Sequence, residues 1–247
     1  MDRLEEFELT APDHWKEQEI KVCLIGAGGN GSEMMDCLIR IAKGLEARGS
    51  ETGLSVVVID DDLVEPQNLI RQRFWPSDVG IYKSQSVVEK ANYLLGMDWN
   101  FIPGRIPLAG ESCLPKGETF DIVITCVDNV AARITLYESY KDKQSETIWL
   151  DMGNEATDGQ VVIGHLGVCK THVPNVLERF PEIKTMKDEH KAPSCSAEES
   201  LRRQDLFINQ KVASAAGNML WQLIAKGKIA NTHIHIDAKK MEELTIG

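Results

Sequence analysis

Apolar residues fall along this chain in two alternating rhythms. Nearly unbroken Val/Ile/Leu runs occur at "IKVCLI", "LSVVVID" and "FDIVITCV", with further strand-like runs at "TIWLDMG" and "QVVIGHLG". Unbroken apolarity of this kind marks parallel strands buried on both faces. Between the runs lie stretches with helical spacing, about residues 31–47, 83–96 and 129–142. Strand and helix alternate, so the pattern predicts an α/β class with a Rossmann-like, doubly wound, mostly parallel sheet. Runs around 160–168 and 232–237 read as antiparallel hairpin or meander strands added to one side.

Residues 169–200 break the rhythm. They are rich in Pro, Lys and His with weak periodicity, which predicts a long crossover loop with a functional role. A strongly amphipathic stretch follows and predicts a C-terminal helix over 201–227. Leu201, Phe207, Ala215, Leu220 and Ile224 are expected on its buried side, with Gly227 as its C-cap. No internal repeat interrupts the chain, so residues 1–247 read as one nucleotide-binding domain.

Composition narrows the functional classes. The chain has 247 residues, of which 43% are hydrophobic and 26% charged, with a formal net charge of -11. Such an acidic balance argues against broad nucleic-acid binding, because phosphate backbones want a basic face. It leaves room for ATP, which needs only a few placed cations. The six cysteines are scattered without a C-x-x-C pair, which argues against a disulfide framework and against a four-thiolate zinc site. Cys23 and Cys126 sit in apolar runs and read as small core residues. The acidic N-terminus does not resemble a signal peptide, and no stretch approaches a membrane span. A reducing, cytoplasmic setting is expected.

"VCLIGAGGNGSEMMDCLIRI" runs a strand through a glycine turn into a helix. Gly26, Gly28 and Gly31 match G-x-G-x-x-G, whose glycines give a tight turn, close approach of backbone to phosphate and close helix–sheet contact. The helix N-terminus adds free N–H groups and partial positive charge. Asp60 ends the second strand, where an acid can bond ribose hydroxyls. It lies about thirty residues past the glycines, the gap being lengthened by "GLEARGSETG". With these features alone, NAD and ATP are equally good ligands.

Residues 59–95 carry the discriminating chemistry. Asn68, Arg71, Gln72 and Lys83 have no evident use in a hydride-transfer enzyme. Attack on an α-phosphate, by contrast, builds negative charge on phosphoryl oxygens and departing pyrophosphate, which fixed cations stabilise. Arg71 offers a planar fork for two oxygens, and Lys83 a point charge at the start of a helix. Asp128 ends "TCVDNVAAR" at the carboxyl edge of the sheet, where open α/β folds place ligands, and suits Mg²⁺ beside a triphosphate. The plainer alternative makes Asp128 a helix N-cap and Arg133 a surface ion pair.

The order GAGGNG, D-x-D with N-L-x-R-Q, G-x-x-K and C-x-D-N with a following Arg resembles the E1-like (ThiF/MoeB/HesA) superfamily of adenylating enzymes. The resemblance covers roughly residues 20–167 and continues into the last helix. The ending "PSCSAEESLRRQDLFINQ" is similar to the PRTRC-system branch of that superfamily. The resemblance implies that Gly26, Gly28 and Gly31 cradle ATP and Asp60 binds ribose. It implies that Asn68, Arg71 and Lys83 contact phosphates, with Gln72 and Asn129 also in the nucleotide site, and that Asp128 coordinates Mg²⁺. Asp62, the second acid of the D-x-D pattern, is implied among the cofactor-binding residues in a supporting role. The implied reaction joins ATP to the C-terminal carboxylate of a small ubiquitin-like or sulfur-carrier protein, with an E2-like protein as a possible further partner and a homodimer as the usual assembly.

Two departures stand out. The R-x-x-R-Q-like segment whose arginine reaches a partner subunit's ATP is replaced by "APDHWKEQEIK", and the C-x-x-C zinc pairs of many relatives are missing, so no zinc is expected. An NAD(P)-dependent oxidoreductase and a catalytically weak E1-like scaffold remain as alternatives. Cys195 is the expected acyl-accepting cysteine, because it precedes a capping box formed by Ser196 and Glu199 at a helix start, where a thiol gains thiolate character. Cys169 ranks behind it. His233 and His235 share one strand face and read as a polar face rather than a metal site. No role falls to His172 or His190.

Overall fold

A computed structural model describes residues 7–50, 53–107, 113–186 and 204–246. Among the described residues ten strands fall in chain order: β1 Leu9–Thr10, β2 Ile20–Ile25, β3 Leu54–Ile59, β4 Asn100–Ile102, β5 Ile122–Thr125, β6 Ile148–Asn154, β7 Asp158–His165, β8 Lys228–Ile229, β9 His233–Asp237 and β10 Glu242–Ile246. The helices are α1 Gly29–Ala47, α2 Lys83–Leu95, α3 Val130–Tyr140, the short α4 Val176–Arg179 and α5 Ile208–Lys226. Eight strands form one sheet in the order β10-β9-β7-β6-β5-β2-β3-β4, and β1 pairs with β8 separately.

The five strands from β6 to β4 are parallel, and β7, β9 and β10 extend the sheet antiparallel. This is the doubly wound class the apolar runs predict. Its reason is burial on both faces: Val22, Leu24, Val56, Val58 and Ile124 pack into one core beneath α1, α2 and α5, and Cys23, Val57, Val123 and Trp149 into a second beneath α3 and α4. Chain direction across the sheet reverses at β2, which feeds β3 on one side and neighbours β5 on the other. The carboxyl end of β2 is therefore the switch point where open sheets hold ligands.

α1 and α5 lie close against each other because glycines sit at their crossing. A Cβ at Gly217 would stand 2.7 Å from Cys37 Cβ, and one at Gly44 would stand 3.1 Å from the Trp221 ring. α5 is shorter than the predicted 201–227 span. Phe207, expected on the buried side, caps the helix in non-helical conformation and is 57% exposed; Leu201 lies outside the described residues. Ala215 and Leu220 are buried, Ile224 packs on the core, and Gly227 ends the helix in left-handed conformation. The expected crossover loop is structured over its first part: Val173, Val176 and Leu177 are buried and α4 packs below β7. No helix among the described residues is long and apolar enough to cross a membrane.

Candidate active site

Three turns leave the sheet in a row. Ile25, Ile59 and Ile102 are register partners at the ends of β2, β3 and β4. The glycine turn follows β2. Gly26 has φ +90°, and a Cβ there would meet Cys126 O at 2.8 Å; a Cβ at Gly31 would lie 1.9 Å from Gly26 O. Both positions exclude a side chain outright. Gly28, the N-cap of α1, has no heavy atom within 4 Å of a built Cβ, so its outer face is open. A helix of this length with an open first turn has the geometry of an anion cradle.

Asp60 anchors that turn. Its Oδ2 accepts Ala27 N–H at 2.6 Å and its Oδ1 accepts Asp62 N–H at 2.9 Å. Burial pushes the Asp60 carboxyl above the usual range, opposed by the Ala27 amide and the Lys83 charge. Asp62 has a definite partner: its Oδ2 lies 2.8 Å from Lys83 Nζ, and Lys83 N–H donates to Asp62 O at 2.8 Å. Lys83 opens α2 with its side chain only 9% exposed, so Asp62 sets where that ammonium sits. One carboxylate oxygen each from Asp60, Asp61 and Asp62 lie within 4.8 Å of one another. Hard oxygens of this kind suit a divalent cation such as Mg²⁺.

Arg71 and Gln72 follow a short 3-10 turn, Pro66–Ile70. Asn68 closes that turn: its Oδ1 accepts Glu65 N–H at 2.8 Å, so this oxygen faces the backbone rather than a ligand. Arg71 donates from Nη1 to Gln204 Oε1, and its carbonyl accepts Asn209 Nδ2–H at 3.0 Å. Arg73 N–H donates to Ser32 Oγ at 3.0 Å, pinning the segment to the first turn of α1. Gln72 Oε1 is buried with no partner among the described residues. Sequence reasoning missed the side chains that hold this region. Asn30 Nδ2 donates to Asn154 Oδ1 at 2.9 Å and Asn154 Nδ2 to Asn209 Oδ1 at 3.0 Å, which continues to Arg71 O. The available signal was an amide opening each of two largely apolar helices.

Asp128 is exposed just beyond β5. It is not the helix cap: Asn129 is, its Oδ1 accepting Ala132 N–H at 2.7 Å, so Asn129 serves α3 rather than facing a ligand with that oxygen. Arg133 is likewise no surface pair. Its Nε lies 2.7 Å from Asp151 Oδ1 in a buried network that Thr125 Oγ–H also joins. Burial alone would lower Arg133, yet the Asp151 charge holds it above its ordinary value.

Cys195 lies outside the described residues, as do Ser196, Glu199 and His190. Cys169 is half-buried and burial pushes its thiol up, which favours the unreactive form. It groups unexpectedly with His165 and His172, their ligand atoms lying within 4.8 Å of one another. His165 Nδ1 already accepts Val173 N–H at 3.0 Å and His172 Nε2 lies 2.9 Å from Glu178, so a metal there would compete with a buried backbone bond. His233 is buried on β9 with its pKa lowered to about 4 by burial, while His235 stays half-exposed, so the polar-face reading needs one amendment. The N-terminal "APDHWKEQEIK" is folded onto its own chain, with Trp15 buried and His14 Nε2 2.5 Å from Asp121.

Residues 3–246 match the ThiF family. The chain belongs to the ThiF family. Ubiquitin-like modifier-activating enzyme 5 of Drosophila mojavensis is 27% identical over 166 residues, covering 62% of this chain and 38% of that protein. The Gallus gallus enzyme of the same name is 27% identical over 196 residues, 72% of this chain and 46% of that protein. The chain therefore spans less than half the length of these relatives. Crystal structures of E. coli MccB with ATP (TM-score 0.60, 17% identity, 95% of this chain and 65% of that chain) and of PaaA (0.61, 16%, 94% and 64%) share its fold. This ThiF-family chain thus shares the fold of these solved structures.

Proposed function

We propose that this ThiF-family protein adenylates the C-terminal carboxylate of a small ubiquitin-like or sulfur-carrier protein with ATP. One observation carries the reading: an open glycine cradle at Gly28 has Lys83, Arg71 and Asp128 on the loops at the same carboxyl end of the sheet. The phosphates lie against the first turn of α1, and Asp60 meets the ribose with the lone pairs that Ala27 and Asp62 leave free. A carboxylate oxygen attacks the α-phosphorus, the bond to the β-phosphate oxygen breaks, and pyrophosphate departs with the electron pair. No general base is needed, since the attacking carboxylate is ionised at neutral pH. Arg71 and Lys83 offset the charge that grows on the phosphoryl and leaving oxygens, each worth about 10²-fold or more in rate. Asp128 would hold Mg²⁺, whose chemistry is to neutralise phosphate charge.

Cys195 is proposed as acceptor of the acyl group from the adenylate, with the chain acting as a homodimer in the cytoplasm of a PRTRC-like system. ATP–pyrophosphate exchange with carrier proteins ending in glycine tests the main reading. Exchange in the wild type, lost in Arg71→Ala and Asp128→Ala, supports it; NADH binding without exchange supports an oxidoreductase, and nucleotide binding without exchange a scaffold. A reductant-sensitive conjugate that survives Cys195→Ala removes that cysteine from the scheme.

A further inference from the structure

We propose that Arg179 and His233 form a binding site for a carboxylate, separate from the glycine cradle. Paired contacts between the end of α4 and the start of β9 bring the two side chains together. Arg179 donates from Nη2 to Thr232 Oγ1, and the Phe180 and His233 rings pack edge-to-face with centroids 5.3 Å apart. β9 lies four strands from β2 in the sheet, so this place is roughly 19 Å from the strand that feeds the glycine turn.

Two groups there lack what their chemistry demands. Arg179 Nε donates to Pro174 O at 3.2 Å, and the guanidinium stands over the Phe7 ring, 5.1 Å from its centroid. Its other N–H groups have no acceptor and its charge has no carboxylate among the described residues. Burial lowers its pKa and no neighbouring acid opposes that shift. His233 is 7% exposed, and its Nε2 is buried with no partner among the described residues. A buried nitrogen left so carries the full cost of its lost hydration. Burial first, then Arg179 and His235, lower the His233 pKa to about 4, so the ring is neutral near pH 7.

These features select the ligand. One formal positive charge is on offer, in a chain of net charge -11, which suits a monoanion better than a phosphate dianion. The planar guanidinium fork matches the two oxygens of a carboxylate, and the Nε2–H tautomer of His233 supplies a further donor. Arg179 is only half-buried, so the acid enters on its side.

The imidazole ¹⁵N shifts of His233 test the site during titration with acetate at fixed pH and ionic strength, chloride being the anion replaced. Wild type should show a saturable shift. Arg179→Gln, whose amide can still donate to Thr232, should weaken acetate at least tenfold. Arg179→Lys keeps the charge without the fork and should fall between the two. His233→Phe retains the packing against Phe180 and identifies the resonance. No saturable shift in wild type, the same response to chloride, tighter binding of inorganic phosphate than of acetate, or undiminished binding in Arg179→Gln overturns the proposal. The wild-type titration decides even where a variant fails to fold. A free acid and an acidic side chain share this chemistry, and a blocked tripeptide with glutamate at its centre separates them. Tighter acetate identifies a small acid and tighter peptide an acidic partner, and either order supports the site.

Discussion

Two alanine substitutions one helical turn apart should fail for opposite reasons. At Gly31 a Cβ would stand 1.9 Å from Gly26 O. Carbon and oxygen in contact lie about 3.3 Å apart, so roughly 1.4 Å must be opened within the turn. The turn has little room to give, because Gly26 N–H is bonded to Ile59 O at 2.9 Å and Ala27 N–H to Asp60 at 2.6 Å. Gly31→Ala is therefore expected to cost about 3 kcal/mol or more, as severe overpacking does. For a domain of this size that lowers Tm by about 6–12 °C. At Gly28 nothing lies within 4 Å of the added methyl, and φ is -75°. Gly28→Ala should stay within about 0.5 kcal/mol of wild type.

The ranking reverses for nucleotide binding. The Gly28 methyl takes up the opening through which phosphate oxygens must approach the amides of α1. ATP affinity should fall at least tenfold, about 1.4 kcal/mol, in a protein that melts normally. Circular dichroism melting and titration with ATP read the two effects separately. Wild-type ATP affinity in Gly28→Ala would refute the placement of phosphate at this turn, and a wild-type melt of Gly31→Ala would refute the packing argument.

Other expectations follow from the same geometry. Asp62→Ala removes the carboxylate 2.8 Å from Lys83 and should reduce pyrophosphate exchange about tenfold and lower Tm as well, because the Lys83 side chain is only 9% exposed and its ammonium loses its counter-charge. Asp151→Ala leaves the Arg133 guanidinium buried without its counter-charge and should cost about 3–5 kcal/mol in urea unfolding; Asp151→Asn, which still accepts the Thr125 hydroxyl, should cost less. His165 and His233 have pKa values lowered to about 4, chiefly by burial, so each stays neutral in the fold while the unfolded chain takes up protons near pH 6.5. Stability should therefore be full above pH 6.5 and fall as pH drops toward 4, by up to about 3 kcal/mol per imidazole; a flat urea midpoint across that range refutes it.

Legibility in the sequence followed burial. The central strands were readable because both faces are apolar, so β2, β3 and β5 appear as unbroken runs. Their edge companions were not. β4 is three residues long with Asn100 exposed, and four of the five residues of β10, "EELTI", are exposed, so neither carries an apolar signature. The start of α5 was misplaced because Leu206 and Phe207 continue the helical spacing while lying exposed before the first turn. At the candidate site, the crowding at Gly26 and Gly31 and the positions of Asp60 after β3 and Lys83 at the start of α2 were recoverable from order along the chain. The jobs of Asn68, Asn129 and Arg133 were not, because a cap or a buried partner is decided by local backbone and by a residue on another strand. Asp151 offered a clue: a lone acid within "TIWLDMG", buried on a central strand, demands a cation.

The asparagine relay explains why this site needs the whole fold. Asn30 belongs to α1, Asn154 to the end of β6 and Asn209 to the first turn of α5, yet their side chains form one directional chain ending on the Arg71 carbonyl. Each amide donates forward and accepts from behind, so the head of the chain, Asn30 Oδ1, is left buried without a donor among the described residues. Leaving such an acceptor unsatisfied costs about 1–3 kcal/mol, which the forward bonds must offset. Neutral amides suit this task because they fix position without adding charge: a lysine would compete with Arg71 for phosphate oxygens, and a carboxylate would repel them. The relay also accounts for Gly29, where a Cβ would lie 2.4 Å from Asn209 Nδ2. α5 can approach the glycine turn only because that position is bare, and that approach lets one helix grip both the backbone of Arg71 through Asn209 and, through Gln204 just before it, the guanidinium. Arg71, proposed to meet the triphosphate, is thereby positioned by Gln204 and the first turn of α5, so any ligand that shifts this segment must also shift Arg71.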